Sequence, residues 1–175
     1  FDGDRLANAA FAVDNYAAYV TVNSEILEKM KPILSDGNIK KYCVNIKDAL
    51  VKLDIEGVAY DAAIAAYLLN PARTAFSIND LAFEYLGFEF GAEKQVSLFD
   101  SDDGSAAKKA LAIMPLVKIT EEGLKKNGQE RLYYDIELPL VNVLADMQKQ
   151  GILIDKKQLA EFSAELSTRI DALTA

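Results

Sequence analysis

The stretch that decides the fold reads DAAIAAYLLNPAR and covers residues 61–73. The brief apolar segment before it, residues 57–60, is typical of a buried strand. Asp61 is a residue type that caps helices, and it precedes eight apolar residues. We therefore predict a helix over residues 62–69, which ends at Asn70 because the proline that follows disfavours helical geometry at the residue before it.

The segments on either side continue this alternation of strand and helix. Further short apolar segments predict strands over residues 5–13, 16–22 and 40–44. Apolar spacing of three and four predicts helices from Ser24 to about residue 36, over 46–53, and over 78–86 with Gly87 as its C-cap. Asp14 and Asn15 favour a hairpin turn between the first two strands. The order β-β-α-β-α-β-α predicts an α/β fold with a mixed sheet flanked by helices.

The second half of the chain reads as helical after an acidic loop. The loop spans residues 91–104 and contains Asp100, Asp102 and Asp103. A helix is predicted over residues 105–126, with a break near Pro115. The next helix carries an apolar stripe that we interpret as core, made of Leu132, Ile136, Leu140, Val143, Leu144 and Met147. Gly151 ends that helix, and Asp155 caps a final one from Lys156 onward.

Composition narrows the range of functions. The chain has 175 residues, a formal net charge of −8 and no histidine. The charge opposes DNA binding by this segment alone, since nucleic-acid affinity depends mainly on Lys and Arg. The lack of histidine excludes Ser-His and Cys-His nucleophile pairs, and Cys43, the single cysteine, forms no intrachain disulfide. No apolar stretch approaches the roughly 20 residues that span a bilayer. We expect a soluble, cytoplasmic monomer with no membrane contact.

Two stretches resemble a known family. Residues 61–73, followed by LAFEYLG at 81–87, resemble the 3′–5′ exonuclease domain of the family A DNA polymerases, the bacterial DNA polymerase I family. Residues 135–155 are similar to the junction at which that domain continues into the polymerase thumb. The resemblance implies a ribonuclease H-like domain over residues 1–128 and helices leading into the thumb over residues 129–175. It places the palm and fingers beyond Ala175, so we expect no polymerase activity here.

The resemblance also implies which positions of the chain would hold the metal ligands for proofreading. The family holds two divalent ions with an Asp-x-Glu on the first strand, an Asp on a later helix and a Tyr-x-x-x-Asp on a still later one. Asp2 and Asp4 have the first spacing, but only Arg5 separates them from the family's second strand. If Asn45-Ile-Lys47 matches the family's Asn-Leu-Lys, the second ligand position is Ala49.

Asp48 misses that position by one residue, which rotates its side chain by about 100° on a helix, so we expect it to point away and pair with Lys52. The expected third region, residues 105–118, contains neither Tyr nor Asp. Tyr85 with Glu89, and Tyr133 with Glu137, share the third spacing but lie inside the two resembling stretches.

These absences predict a vestigial exonuclease site with no catalytic residues, no metal and no cofactor. The leading hypothesis is a structural module that packs against the polymerase region of the same chain in an enzyme of DNA replication and repair. That module would reach DNA only through the rest of the enzyme. One alternative is an active exonuclease that uses Mg²⁺ or Mn²⁺ with Asp2, Asp4 and Asp48. Another is an unrelated helical interaction module that binds a partner through its apolar stripe.

Overall fold

The computed structural model describes residues 6–90 and 103–174. The strands are Asn8–Val13 (β1), Tyr16–Thr21 (β2), Lys41–Cys43 (β3) and Val58–Asp61 (β4). The α-helices are Ser24–Leu34 (α1), Lys47–Lys52 (α2), Ala62–Leu69 (α3), Ile78–Leu81 (α4), Asp103–Lys126 (α5), Glu130–Leu132 (α6), Leu138–Gln150 (α7) and Lys156–Thr174 (α8). Two π-helical segments, Ala82–Leu86 and Tyr133–Glu137, continue α4 and α6. The α/β class and the predicted order of elements are confirmed.

The strands pair two by two. β1 and β2 form an antiparallel hairpin, and Asp14 in its turn has a φ of 53°. β3 and β4 are parallel, with Tyr42 opposite Tyr60. Within the described residues, the parallel and antiparallel pairs are two separate sheets rather than the continuous mixed sheet that the sequence predicts. Helix α5 packs on β1 and β2 and also contacts β3, so it joins the two sheets.

The main core lies between α3, α5 and the β3–β4 sheet. Its buried members include Tyr60, Ala65, Ala66, Leu116 and Leu124. Helices α3 and α5 lie close together where Gly123 meets Leu69. A Cβ atom added at Gly123 would lie 2.9 Å from the Leu69 side chain. This packing fixes α3 directly behind the carboxyl end of β4.

Several local predictions hold, and others need correction. Asp155 caps α8, because its side chain accepts hydrogen bonds from the backbone of Lys157 and Gln158. Helix α1 begins at Ser24 as predicted, and its cap is Asn23, whose side chain accepts the N–H of Ile26 at 2.8 Å. Helix α5 runs through Pro115 without a break. The loop is predicted over residues 91–104: residues 91–102 lie outside the described residues, and Asp103 and Gly104 belong to α5 rather than to a loop.

The interpretation of the apolar stripe as core is wrong. Its members are 38–61% exposed: Leu132, Ile136, Leu140, Val143, Leu144 and Met147. The face that turns inward instead carries Tyr133, Val141 and Ala145. The stripe is exposed both before and after the π-helical turn over Tyr133–Glu137, because apolar spacing shows which side chains share a helix face but not whether this chain covers that face.

The helices after residue 128 pack onto the domain before it. Tyr133 belongs to the main core, and Val141 and Ala145 form a second cluster with Leu50 of α2. The boundary between residues 128 and 129 stays a prediction. Across the described ranges, no helix combines the length and the apolarity that crossing a bilayer requires.

Candidate functional site

A cleft of about 510 Å³ lies at the carboxyl-terminal edge of the β3–β4 sheet. Because the two strands are parallel, their last residues, Cys43 and Asp61, pair at the same edge. Asn45 adopts a φ of 59° and turns the chain from β3 into α2. The polar side chains that line the cleft belong to Asn45, Lys47, Asp48, Asp61 and Glu137. Its apolar wall comes from α3, α7 and the segment before α4.

Asp61 is the most deeply buried polar group of this cleft, with 1% of its surface exposed. Its Oδ1 accepts the backbone N–H of Asn45 at 3.0 Å and that of Ala63 at 2.9 Å. Its Oδ2 accepts the N–H of Ile46 at 2.9 Å. Burial raises the pKa of Asp61, and these backbone donors partly oppose that shift. One carboxylate therefore caps α3 and also holds the turn between β3 and α2.

The side chain of Tyr133 holds the main chain of Asp61 in place. Its hydroxyl accepts the Asp61 N–H at 2.7 Å and lies 3.1 Å from the Asp61 carbonyl oxygen, to which it donates. The Tyr133 ring packs on Tyr60 with 4.7 Å between ring centroids, and the Tyr60 hydroxyl lies 3.1 Å from Oγ1 of Thr120. Burial raises the pKa of Tyr60 to about 12 and also raises the pKa of Tyr133. Both phenols are therefore neutral at ordinary pH.

The cysteine contributes to the same hydrogen-bonded group. The thiol of Cys43 donates to the carbonyl oxygen of Tyr60 at 3.1 Å. Burial, and to a lesser degree the charge of Asp61, raises the pKa of this thiol above its ordinary value. A thiol with a raised pKa is a weak nucleophile, because the thiolate is the reactive form. Cys43 is thus a structural residue, in agreement with its apolar sequence neighbourhood.

The structure places the residues considered as metal ligands in different environments. Asp48 is exposed, yet it lines the cleft, so the expectation that it points away is corrected. The helix α2 begins at Lys47, and the first turn that carries Asp48 faces the cleft. Ala49 is partly buried, and the Asp48 pairing with Lys52 stays a prediction. Asp2 and Asp4 lie outside the described residues.

Two contributions to the cleft were missed in the sequence. Asp61 was predicted only as a helix cap, and its bonds to Asn45 and Ile46 depend on tertiary structure that no local pattern encodes. Glu137 was set aside as a coincidence of spacing, but it is partly buried and lines the cleft from the end of a π-helical turn. Within residues 6–90 and 103–174, no three acidic or cysteine side chains converge into a group suited to hold a metal ion.

Comparisons with known proteins give a consistent result. Residues 4–97 match the family described as DNA polymerase I, ribonuclease H-like domain. DNA polymerase I of Mycobacterium tuberculosis is 31% identical over 186 residues, which cover 96% of this chain and 21% of that protein. DNA polymerase I of Geobacillus stearothermophilus is 31% identical over 154 residues, which cover 80% of this chain and 18% of that protein.

A solved structure is similar as well. The polymerase domain of Pol1 from M. smegmatis, in complex with DNA primer-template and dNTP, superposes with a TM-score of 0.74 and 25% sequence identity. The match covers 93% of this chain and 28% of that one. The chain thus spans about a fifth of the length of the curated relatives it matches.

Proposed function

The chain belongs to the DNA polymerase I family, with its ribonuclease H-like domain, and from this premise we propose that it is a structural module without proofreading activity. The resemblance seen in residues 61–73 and 135–155 is confirmed by this membership. The chain spans about a fifth of its relatives, so DNA polymerisation, replication, repair and a cytoplasmic location are proposed for the longer protein rather than for this segment.

The hydrogen bonds of the Asp61 carboxylate are the main observation that supports the proposed lack of proofreading activity. Both of its carboxylate oxygens already accept backbone N–H groups inside the fold, so metal coordination would compete with three hydrogen bonds. Two-metal catalysis needs several carboxylates that hold two ions roughly 3.5–4 Å apart. Asp48 and Glu137 are the other carboxylates among the residues that line the cleft, and the position that resembles the family's helical ligand is Ala49. This set of donors fits a pair of ions poorly.

The charge of the cleft supports the same proposal. Three carboxylates line it against the single ammonium group of Lys47, and the whole chain carries a net charge of −8. Without bound metal ions, these charges repel the phosphates of a DNA 3′ end. We therefore propose that this cleft does not bind a DNA 3′ end, and that DNA is contacted mainly by the rest of the parent enzyme.

Exposed apolar helices support a role in packing against the polymerase region. The exposed stripe of α7 includes Val143, at 53%, and Met147, at 61%. On α8, every residue from Lys156 to Thr174 is exposed. Its large apolar side chains recur at spacings of three and four, a pattern that buries one helix face against a partner helix: Leu159, Phe162, Leu166, Ile170 and Leu173. We propose that the polymerase region of the longer protein covers these faces.

One observation favours the competing hypothesis of an active exonuclease, because Asp48 is among the residues that line the cleft. In that reading Asp48 acts with Asp2 and Asp4 as the metal-binding set. The unrelated helical interaction module is contradicted by the membership of the DNA polymerase I family.

A single-strand degradation assay tests the proposal. The purified chain is incubated with a 5′-labelled oligonucleotide and either Mg²⁺ or Mn²⁺, beside the variant Asp48→Asn and an active proofreading polymerase. We expect no shortening from the 3′ end with the wild-type chain. Metal-dependent shortening that Asp48→Asn slows by about 100-fold or more would overturn the proposal, since losing a metal-coordinating or charge-stabilising group costs rate on that scale. Shortening that the variant leaves unchanged would also overturn the proposal if the activity co-purifies with the chain through a further column, and otherwise comes from a contaminating nuclease.

A further inference from the structure

A second cleft lies on the other side of the β3–β4 sheet from Asp61. Successive residues of a strand point to opposite faces, and Tyr60 accordingly points to this second cleft while Asp61 points to the first. The second cleft has a volume of about 710 Å³ and lies between the two strands, α5 and the start of the π-helical segment at Tyr133–Glu137. This volume is within the range of small-molecule sites, about 300–1,000 Å³.

The lining of this cleft combines cations with aromatic faces. Lys40, beside β3, and Lys118, on α5, bring two ammonium groups to it, and both residues are exposed. Tyr42 and Tyr134 line the same cleft with 37% and 38% of their surfaces exposed. Ammonium groups bind phosphate, and an exposed tyrosine ring offers a surface on which a nucleobase stacks. The hydrogen-bonded group around Asp61 uses neither the phosphate-binding ammonium groups nor the exposed stacking surfaces of these two rings.

The rest of the lining holds one of these rings in place. Tyr134 packs edge-on against the buried rings of Tyr60 and Tyr133, with centroid distances of 6.3 and 4.9 Å. Its hydroxyl donates to Oε1 of Glu121 at 2.6 Å, which engages the one carboxylate among the lining residues. A ring held from two sides loses little conformational freedom when a ligand stacks on it, which favours binding.

We propose that this second cleft binds a nucleoside phosphate, with the base on Tyr42 or Tyr134 and the phosphate between Lys40 and Lys118. The ligand is either a free nucleotide or the end of a single strand, because both present the same base and phosphate. The proposal is independent of proofreading, since the site is separated from the Asp61 cleft by the sheet itself.

Binding experiments with the whole 175-residue chain test this site. The probes are dTMP and a 5′-phosphorylated oligo(dT) that carries a fluorophore at its 3′ end, at about 0.15 M salt, where charges beyond roughly 8 Å are screened. The variants are Lys40→Gln with Lys118→Gln, and Tyr42→Leu. The control combines Tyr16→Leu on the hairpin with Lys125→Gln at the end of α5, because these residues are also exposed but lie outside the cleft. Circular dichroism confirms that each variant folds.

The expected result is saturable binding by the wild type and by the control. The Lys double variant should weaken binding by at least 10-fold, and the slope of log K against log salt should fall by about 1.4, which corresponds to two lost phosphate contacts on a single strand. Tyr42→Leu should weaken binding by about 5-fold or more with little change in that slope. Binding of dTMP identifies a free nucleotide as the ligand, and binding of the oligonucleotide alone identifies a strand end. Absent wild-type binding, or equal affinity in the Lys double variant and the control, overturns the proposal.

Discussion

The hydroxyl group of Tyr133 bonds to both main-chain groups of Asp61, as acceptor from its N–H at 2.7 Å and as donor to its carbonyl oxygen at 3.1 Å. The two residues are 72 positions apart and both are buried. The π-helical segment at Tyr133–Glu137 is thereby attached to the end of strand β4. The ribonuclease H-like domain and the helices after it consequently share one core, which is what a supporting module requires.

Removing that hydroxyl should destabilise the whole fold. In Tyr133→Phe, the buried N–H and carbonyl of Asp61 lose their shared partner, and leaving such groups unsatisfied costs about 1–3 kcal/mol. We expect the free energy of unfolding in urea to fall by about 2 kcal/mol. Tyr16→Phe is the control, because Tyr16 is 83% exposed and its change should be within about 0.5 kcal/mol. Equal losses in both variants would contradict the role given to Tyr133.

The buried tyrosines should make the fold sensitive to alkaline pH. Burial raises the pKa of Tyr60 to about 12 from an ordinary value of 10, and it also raises the pKa of Tyr133. Below pH 10 both phenols are neutral in the folded and unfolded states, so their contribution to stability is complete. As pH rises from 10 towards 12 the unfolded state ionises first, and stability falls by about 1.4 kcal/mol per pH unit for each phenol. Urea unfolding between pH 9 and 11.5 measures this slope.

The variant Tyr133→Phe supplies the internal test of that slope. It removes one of the groups whose pKa is raised by burial, which also include Cys43, Tyr60 and Tyr134, so the loss of stability should be smaller than that of the wild type by about 1.4 kcal/mol per pH unit. An unchanged slope in Tyr133→Phe would show that other groups cause the alkaline sensitivity.

Gly57 should tolerate substitution far less well than another glycine with similar backbone geometry. Gly57 has a φ of 71°, and a Cβ there would lie 2.5 Å from the carbonyl oxygen of Ile39. Its own carbonyl accepts the N–H of Lys41 at 2.8 Å, where β3 begins. We expect Gly57→Ala to lower the free energy of unfolding by about 3 kcal/mol or more. Gly128→Ala should lose only about 1 kcal/mol, because Gly128 has a φ of 67° but no atom within 4 Å of the added Cβ.

Hydrogen exchange should distinguish α8 from the core helices. Every residue of α8 is exposed, whereas α3 contains the buried Ala62, Ala63, Ala65 and Ala66. In the isolated chain, the amides of α8 should exchange orders of magnitude faster than those of α3, since local opening there costs little. In a longer protein that includes the polymerase region, α8 should become protected. Protection of α8 in the isolated chain, or its absence in the longer protein, would contradict the proposed docking.

Much of the fold is encoded in local signals. Asp61, Gly87, Gly151 and Asp155 end or begin helices where the sequence predicts, because caps and left-handed turns depend on a few neighbouring residues. The hairpin turn at Asp14 is of the same kind. These signals suffice for the order of strands and helices.

The features that were predicted wrongly depend on tertiary structure. Apolar spacing identified the stripe as one face, but the stripe is exposed from Leu132 to Met147, since spacing does not show what covers a face. The second role of Asp61 needs Asn45 and Ile46 to approach from another strand end. Asp48 faces the cleft because α2 begins there, which a one-residue offset on a helical wheel does not reveal.

The most direct test of the central claim is a titration with Mn²⁺ followed by electron paramagnetic resonance, in which free Mn²⁺ gives the signal. If Asp61 is committed to the fold and the remaining carboxylates of the cleft are too few for a pair of ions, the signal of the chain should match that of buffer up to about millimolar metal, and Asp48→Asn should change nothing. Binding of two Mn²⁺ ions per chain, with that binding lost in Asp48→Asn, would contradict the claim that the proofreading site is inactive.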